Sequence, residues 1–187
     1  MLENIKKLSN NISISQTSIL LYLISAFGVA ISSQISIPLP NGVPMTLQTF
    51  AVALLGYSLS KSKGVKSILT YLLIGALGIP VFAQAKGGIA TIFGLTGGFL
   101  LGFIPFTYLC SKAMECKNIL AKITLSVIGL LSCHLFGVLQ YSILTGVGFT
   151  KAALLVSIPF LAKDLASVAF AFATVNGFNL IKNKINN

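Results

Sequence analysis

The chain has 187 residues, of which 55% are hydrophobic and only 9% charged, and its mean hydropathy is +0.93. A water-soluble domain carries about 25% charged residues, so this chain has too few to cover itself in water. All 13 basic residues are lysines, set against 3 acids for a formal charge of +10. They stand singly between apolar runs, with no basic stripe or aromatic platform, which argues against a nucleic-acid partner.

A helix needs about 20 mostly apolar residues to cross a hydrocarbon core of about 30 Å. The apolar runs, divided by Lys, Gly, Pro and Asn, predict six membrane spans over residues 17–37, 46–60, 65–83, 89–111, 119–145 and 160–181. Hydrocarbon offers no water to an open backbone, so all six are expected to be helical. The runs are continuous and too long for the alternating strands of about 10 residues that build a membrane barrel. The expectation is an all-α integral membrane protein. Residues 1–187 are expected to form a single transmembrane domain, a six-helix bundle with structured outer loops.

At the amino end, Lys6 and Lys7 precede an apolar stretch at 19–31 that has the outline of a signal peptide. The run continues to Ile37 with no Ala-x-Ala site after it, which predicts an anchor that is retained. The first connection, SQISIPLPNGVPM (33–45), has three prolines and an Asn-Gly pair and is expected to be an ordered, non-helical loop. The second run is short. Gly87 and Gly88 interrupt the chain after the third, and the apolar stretch 150–158 is too short to cross before Pro159. Ordinary connecting loops would account for these features. Irregular backbone gathered on one side is also what a lidded substrate site requires.

Lysine placement sets the orientation. Lys6, Lys7, Lys61, Lys63, Lys66, Lys112, Lys117, Lys122, Lys182 and Lys184 fall on one side, and Lys86, Lys151 and Lys163 on the other. The excess marks the cytoplasmic side and places both termini there.

Asp164 is the acidic residue beside an apolar run on the outer side, whereas Glu3 and Glu115 belong to cytoplasmic flanks. An acid at that depth is costly unless paired, which favours a ligand acceptor in a water-accessible pocket over a carboxylate that merely caps a helix. His134, the sole histidine, reads as a satisfied core residue more readily than as a ligand or relay, because no acid lies near it in sequence. Gln48, Gln84 and Gln140 sit near span ends, with Tyr141 beside the last. Gly94, Gly98 and Gly102 form a small-residue ridge suited to close helix packing within the chain, and Ala26 and Ala30 form a shorter one. Cys110, Cys116 and Cys133 are odd in number and lack a Cys-x-x-Cys pair, so neither a disulfide framework nor a metal site is expected. There is no Gly-x4-Gly-Lys-Ser/Thr, His-Glu-x-x-His or Gly-x-Ser-x-Gly motif, which leaves little material for ATP binding or hydrolysis.

Four ordered stretches carry a more specific signal: IPLPNGVPMTLQTFAVALLG (37–56), YLLIGALGIPVFA (71–83), KGGIATIFGLTGGFLLGF (86–103) and PFLAKDL (159–165). In these the chain resembles the BioY family, the biotin-binding S components of bacterial energy-coupling factor transporters. The resemblance implies a multi-pass protein of the bacterial cell membrane that captures biotin at the outer face. Its pocket would be built mainly from the last three helices and covered by the first and third connections. No cofactor is implied. The partners would be a transmembrane coupling subunit, docked on Ala26 and Ala30 of the first helix, and two ATPase subunits that supply the energy. Asp164 would accept the ureido N–H groups of biotin. Gln84, Tyr141, Phe93 and Gln48 would pack or orient the ligand. The family typically has Asp-x-x-Lys at the start of the last helix. Here Ser167 stands in the lysine's place and Lys163 where glycine is usual, so the cation would come from Lys163 or Lys86. An S component for a different vitamin is the alternative within this fold, and a membrane-embedded enzyme the alternative from another class.

Overall fold

The computed structural model describes the backbone of residues 2–186 and the side chains of residues 16–185. The side chains of Glu3, Lys6 and Lys7 lie outside these described residues. The chain is mostly helical: α1 (Leu2–Gln34), α2 (Gln48–Ser58), α3 (Lys61–Ala76), α4 (Ile89–Ile92), α5 (Gly97–Glu115), α6 (Ile119–Thr145), α7 (Phe149–Val156) and α8 (Ile158–Asn186). Two strands of two residues, β1 (Ser36–Ile37) and β2 (Met45–Thr46), pair antiparallel across the proline-rich first connection.

Among the described residues, three helical segments are long and apolar enough to cross a membrane: Gln16–Gln34, Ile119–Thr145 and Ile158–Ile185. The other three expected spans are shorter or broken, and the reasons are local. Over 46–60 the helix is only the 11 residues of α2, about 16 Å at 1.5 Å per residue. Over 65–83 the helix ends at Ala76, where Gly78 adopts φ 97° and Pro80 follows. Over 89–111 the helix stops after one turn and restarts at Gly97. A Cβ on Gly97 would lie 1.6 Å from the Ile92 carbonyl oxygen, so the tight doubling of the chain needs glycine there. The broken backbone is satisfied from across the bundle, because Gln140 Nε2 donates to the carbonyls of Ile92 (2.9 Å) and Gly94 (2.7 Å). The stretch near 150–158 is largely α7, seated on the side of the bundle through buried Ala152 and Val156.

The bundle packs α5 most extensively against α6, α2 against α8 and α1 against α3. The glycine ridge lies in the first of these seams. A Cβ at Gly98 would meet the Phe136 carbonyl oxygen at 2.1 Å, and one at Gly102 would meet the Cys133 Cα at 2.6 Å. Gly94 lies outside α5, in the break before it. Tyr71, Phe82, Phe106, Ile68, Val52 and Leu130 fill the centre. Leu20, Phe27, Leu73, Leu131, Ile143 and Phe170 point outward, an apolar exterior suited to lipid.

The two ends of the bundle differ. At one, the connections are short, and Lys61 Nζ pairs with Glu115 Oε2 at 2.8 Å. At the other, all the long connections converge and are bonded to one another.

Candidate functional site

The loop-bearing end is held by side chains reaching distant backbone. Ser33 Oγ donates to the Val81 carbonyl at 2.7 Å and Gln34 Nε2 to that of Phe82 at 3.1 Å, joining the end of α1 to the third connection. Asn41 Nδ2 donates to the Leu155 carbonyl at 2.7 Å, and Tyr141 Oη donates to the Asn41 carbonyl at 3.2 Å. Val43 N donates to Asn41 Oδ1 at 3.0 Å. The first connection is thus tied to α6 and to the end of α7.

Beneath these covers lies a narrow cavity of about 70 Å3. Its walls come from the first connection and start of α2 (Val43 to Thr46, Gln48, Thr49), the third connection (Phe82, Ala83, Lys86), α5 (Phe99, Leu100, Phe103), α6 (Leu130, Cys133, His134) and α8 (Phe160, Lys163, Asp164). α8 can present this face because Ser157 breaks the chain with φ −126° and ψ −59°. Pro159 then sits in the first helical turn, where its missing N–H leaves no intrahelical bond unmade. Phe160 and Asp164, one turn apart, face inward together, at 4% and 5% exposure.

Asp164 is the charged centre of the cavity. Lys163 Nζ ion-pairs with its Oδ1, and His134 Nε2 lies 3.2 Å from its Oδ2. Lys163 Nζ also donates to the Thr46 carbonyl at 2.7 Å, and Thr49 lines the same cavity. Ser157 Oγ lies 3.0 Å from His134 Nδ1, and the Phe99 ring meets the imidazole edge to face at 5.8 Å. The lysine–aspartate pair has no net charge, so the cavity floor offers polar groups without an isolated buried ion. Gln48 is anchored through Nε2 to Tyr71 Oη at 2.7 Å, and Tyr71 Oη donates onward to the Val81 carbonyl at 3.1 Å.

Of the residues singled out from sequence, Asp164, Lys163, Gln48 and Lys86 are brought together on the cavity wall. The others stand elsewhere. Tyr141 is buried beside Val43, Ala152 and Val156 and serves as a tie for the first connection. Phe93 is 69% exposed on the outer surface beside Phe136 and Leu139, because the chain break after α4 turns it outward. Phe99, Phe103, Phe82 and Phe160 provide the aromatic wall instead. Gln84 is exposed at the tip of the third connection, where it and Ala85 adopt φ 62° and 53°. Ser167, half-buried on the next turn of α8, is not among the lining residues. Ala26 and Ala30 are buried at 2% and 7% and form part of an apolar groove between α1 and α3, flanked by Phe27, Ile31 and Ile74.

The reading of His134 needs correction in one respect. It is a buried, satisfied histidine, but the acid that satisfies it is Asp164, 30 positions away in sequence and adjacent in space. Thr49 and the Thr46 carbonyl were not signalled either, since a short helix start after a proline-rich loop has no motif of its own.

A family model described as "BioY family" matches residues 6–183. A probable biotin transporter BioY of Pyrococcus horikoshii is 39% identical over 142 residues, covering 76% of this chain and 83% of that protein. Biotin transporter BioY2 of Lactococcus lactis subsp. cremoris is 37% identical over 143 residues, covering 71% and 78%. Among solved structures, the S-component for biotin from an ECF-type ABC transporter superposes with a TM-score of 0.76 at 19% identity, over 89% of this chain and 93% of that one. The likeness at that identity is one of fold. The match along nearly the whole chain and the two close relatives establish that this protein belongs to the BioY family.

Proposed function

We infer that this chain is the biotin-binding S component of an energy-coupling factor importer, a transport subunit rather than an enzyme. The observation that carries the reading is the Asp164–Lys163 pair set in an aromatic-walled cavity under the tied loops of one end. Biotin has a ureido group with two N–H donors and a carbonyl acceptor, an apolar thioether ring and a carboxylate tail. An ionised carboxylate has about four lone-pair sites, so Asp164 has capacity left for ureido N–H groups after its contacts with lysine and histidine. Phe82, Phe99, Phe103 and Phe160 suit the ring system. Lys86, exposed on the third connection, suits the tail carboxylate, and Lys163 suits the ureido carbonyl.

The first connection covers the cavity, and its Asn41 and Tyr141 ties are the contacts that would yield as a ligand enters.

The same reading makes the chain one membrane domain with the cavity facing outward and both termini in the cytoplasm. The lysine excess on the Lys61 and Glu115 end supports that orientation. Six crossings are reached if α2, α3 and α5 traverse as short or tilted elements within the bundle, with α4 and the third connection lining the cavity. The chain lies in the cell membrane, and a coupling subunit with two ATPase subunits supplies the energy. The α1 face around Ala26 and Ala30 is the surface offered to the coupling subunit. With both alanines buried, that contact would be made by the groove rims, Phe27 and Ile31.

Mass spectrometry of small molecules released from the purified protein tests the ligand, with biotin as the expected species. A different vitamin would keep the fold and retire the substrate. Turnover of a substrate by the isolated chain would retire the transport reading. For the cation, Lys163→Met is expected to weaken biotin binding more than Lys86→Met, because Lys163 is ion-paired in the cavity and Lys86 is exposed. Equal, unchanged affinities would show both lysines to be bystanders.

A further inference from the structure

We propose that His134 is a positioning residue of the ligand site, anchored at Nδ1 by Ser157 so that its Nε2–H fixes the direction in which Asp164 presents its carboxylate to the cavity. The inference rests on the reading of that cavity as the biotin site and goes beyond it by assigning a role to the imidazole.

An ionised carboxylate only accepts, so the 3.2 Å contact between His134 Nε2 and Asp164 Oδ2 requires hydrogen on Nε2. A neutral imidazole then has a bare Nδ1, which accepts from the Ser157 hydroxyl at 3.0 Å. Both ring nitrogens are satisfied in that form, as a histidine only 5% exposed requires. The Phe99 ring, edge to face at 86° and 5.8 Å, restricts the imidazole plane. The ring is therefore fixed on three sides: by the α7–α8 break, by α5 and by α8.

Its effect on Asp164 follows. The lysine contact takes Oδ1 and the histidine contact takes Oδ2, so the carboxylate cannot rotate freely about its terminal bond. Lys163, itself held by the Thr46 carbonyl, meets Oδ1. The imidazole fixes Oδ2, because it is rigid and held from behind. Ser157 stands at the kink that lets α8 turn inward, so the same residue that breaks the helix anchors the imidazole. A carboxylate held in one orientation loses less freedom when a ligand docks on it.

The test is biotin titration of the detergent-purified full chain carrying His134→Gln or His134→Asn, each with Asp164 intact and with Asp164→Asn. A glutamine amide nitrogen reaches the place of Nε2, whereas an asparagine amide reaches only that of Nδ1. Glutamine should keep affinity within about threefold of wild type, and asparagine should weaken it by about tenfold or more. In the Asp164→Asn background the two should differ by less than about twofold, because the interaction they report has gone. Equal affinities of the two variants, or the same ratio in both backgrounds, would overturn the proposal. His134 is the only histidine in the chain, so nitrogen NMR of imidazole-labelled, unliganded protein gives an independent readout. Nitrogen NMR should show protonated Nε2 and bare Nδ1 in the wild type and a mixture in Asp164→Asn. A tautomer mixture in the wild type also overturns the proposal. A locked tautomer with no biotin binding by the wild type would sink the substrate reading alone.

Discussion

The two ends of this bundle solve the same problem differently. At the Lys61 and Glu115 end, α2 passes to α3 and α5 to α6 through short links, and Asn118 caps α6 by accepting from Leu120 N at 2.9 Å. At the Asp164 end, the connections are long, rich in proline and glycine, and bonded to one another over separations of 48 to 117 residues. Short links close a helix pair at little conformational expense. Long links held by specific side chains leave a cavity and can yield one contact at a time. The contrast is the basis for proposing the ligand site at one end only.

The largest effect expected from disturbing the contrast is at the seam that carries the cavity wall. Gly98→Val places a side chain where even a Cβ would sit 2.1 Å from the Phe136 carbonyl, so α5 and α6 must separate. A loss of about 3 kcal/mol or more, read as a lower unfolding midpoint in detergent, is expected together with lost binding. Asn41→Ala comes next. It removes the bonds to Leu155 and Val43 that tie down the first connection. It should speed both association and dissociation of biotin, with a stability change of about 1 kcal/mol, checked by stopped-flow binding and thermal unfolding. Gln84→Gly relaxes a left-handed backbone at the loop tip, where a non-glycine residue costs about 1 kcal/mol, and should raise the midpoint slightly. Lys61→Ala, at the opposite end, should leave biotin affinity unchanged. A change there would mean that the two ends are coupled.

What the sequence made legible follows from range. The helix expected over 119–145 has the observed limits of α6, because a long apolar run between Asn118 and Gly146 needs only local signals. The span expected over 160–181 lies within α8 on the same ground, whereas the one expected over 17–37 overran α1, which ends at Gln34 before Ser36 and Ile37 pair as β1. The break between Ile92 and Gly97 was not, because it depends on Gln140 reaching across the bundle to replace lost backbone bonds. That break exchanges Phe93 for Phe99 at the cavity, although both lie in one apolar run. Asp164 was conspicuous as a lone acid beside a span. Its partner His134 was hidden, since the α6–α8 juxtaposition is tertiary. The turn at Gln84 and Ala85 was hidden for a different reason: residues with side chains give no sequence sign of positive φ.

The most direct measurement is a biotin titration of the wild type beside Asp164→Asn, two nearly isosteric proteins that differ by one charge in the cavity. Loss of charge-assisted bonds amounts to about 1.5–3 kcal/mol, so the variant should bind roughly 10- to 100-fold more weakly while remaining folded. Equal affinity in the two would contradict the account, because the carboxylate would then hold the helices together and not the ligand.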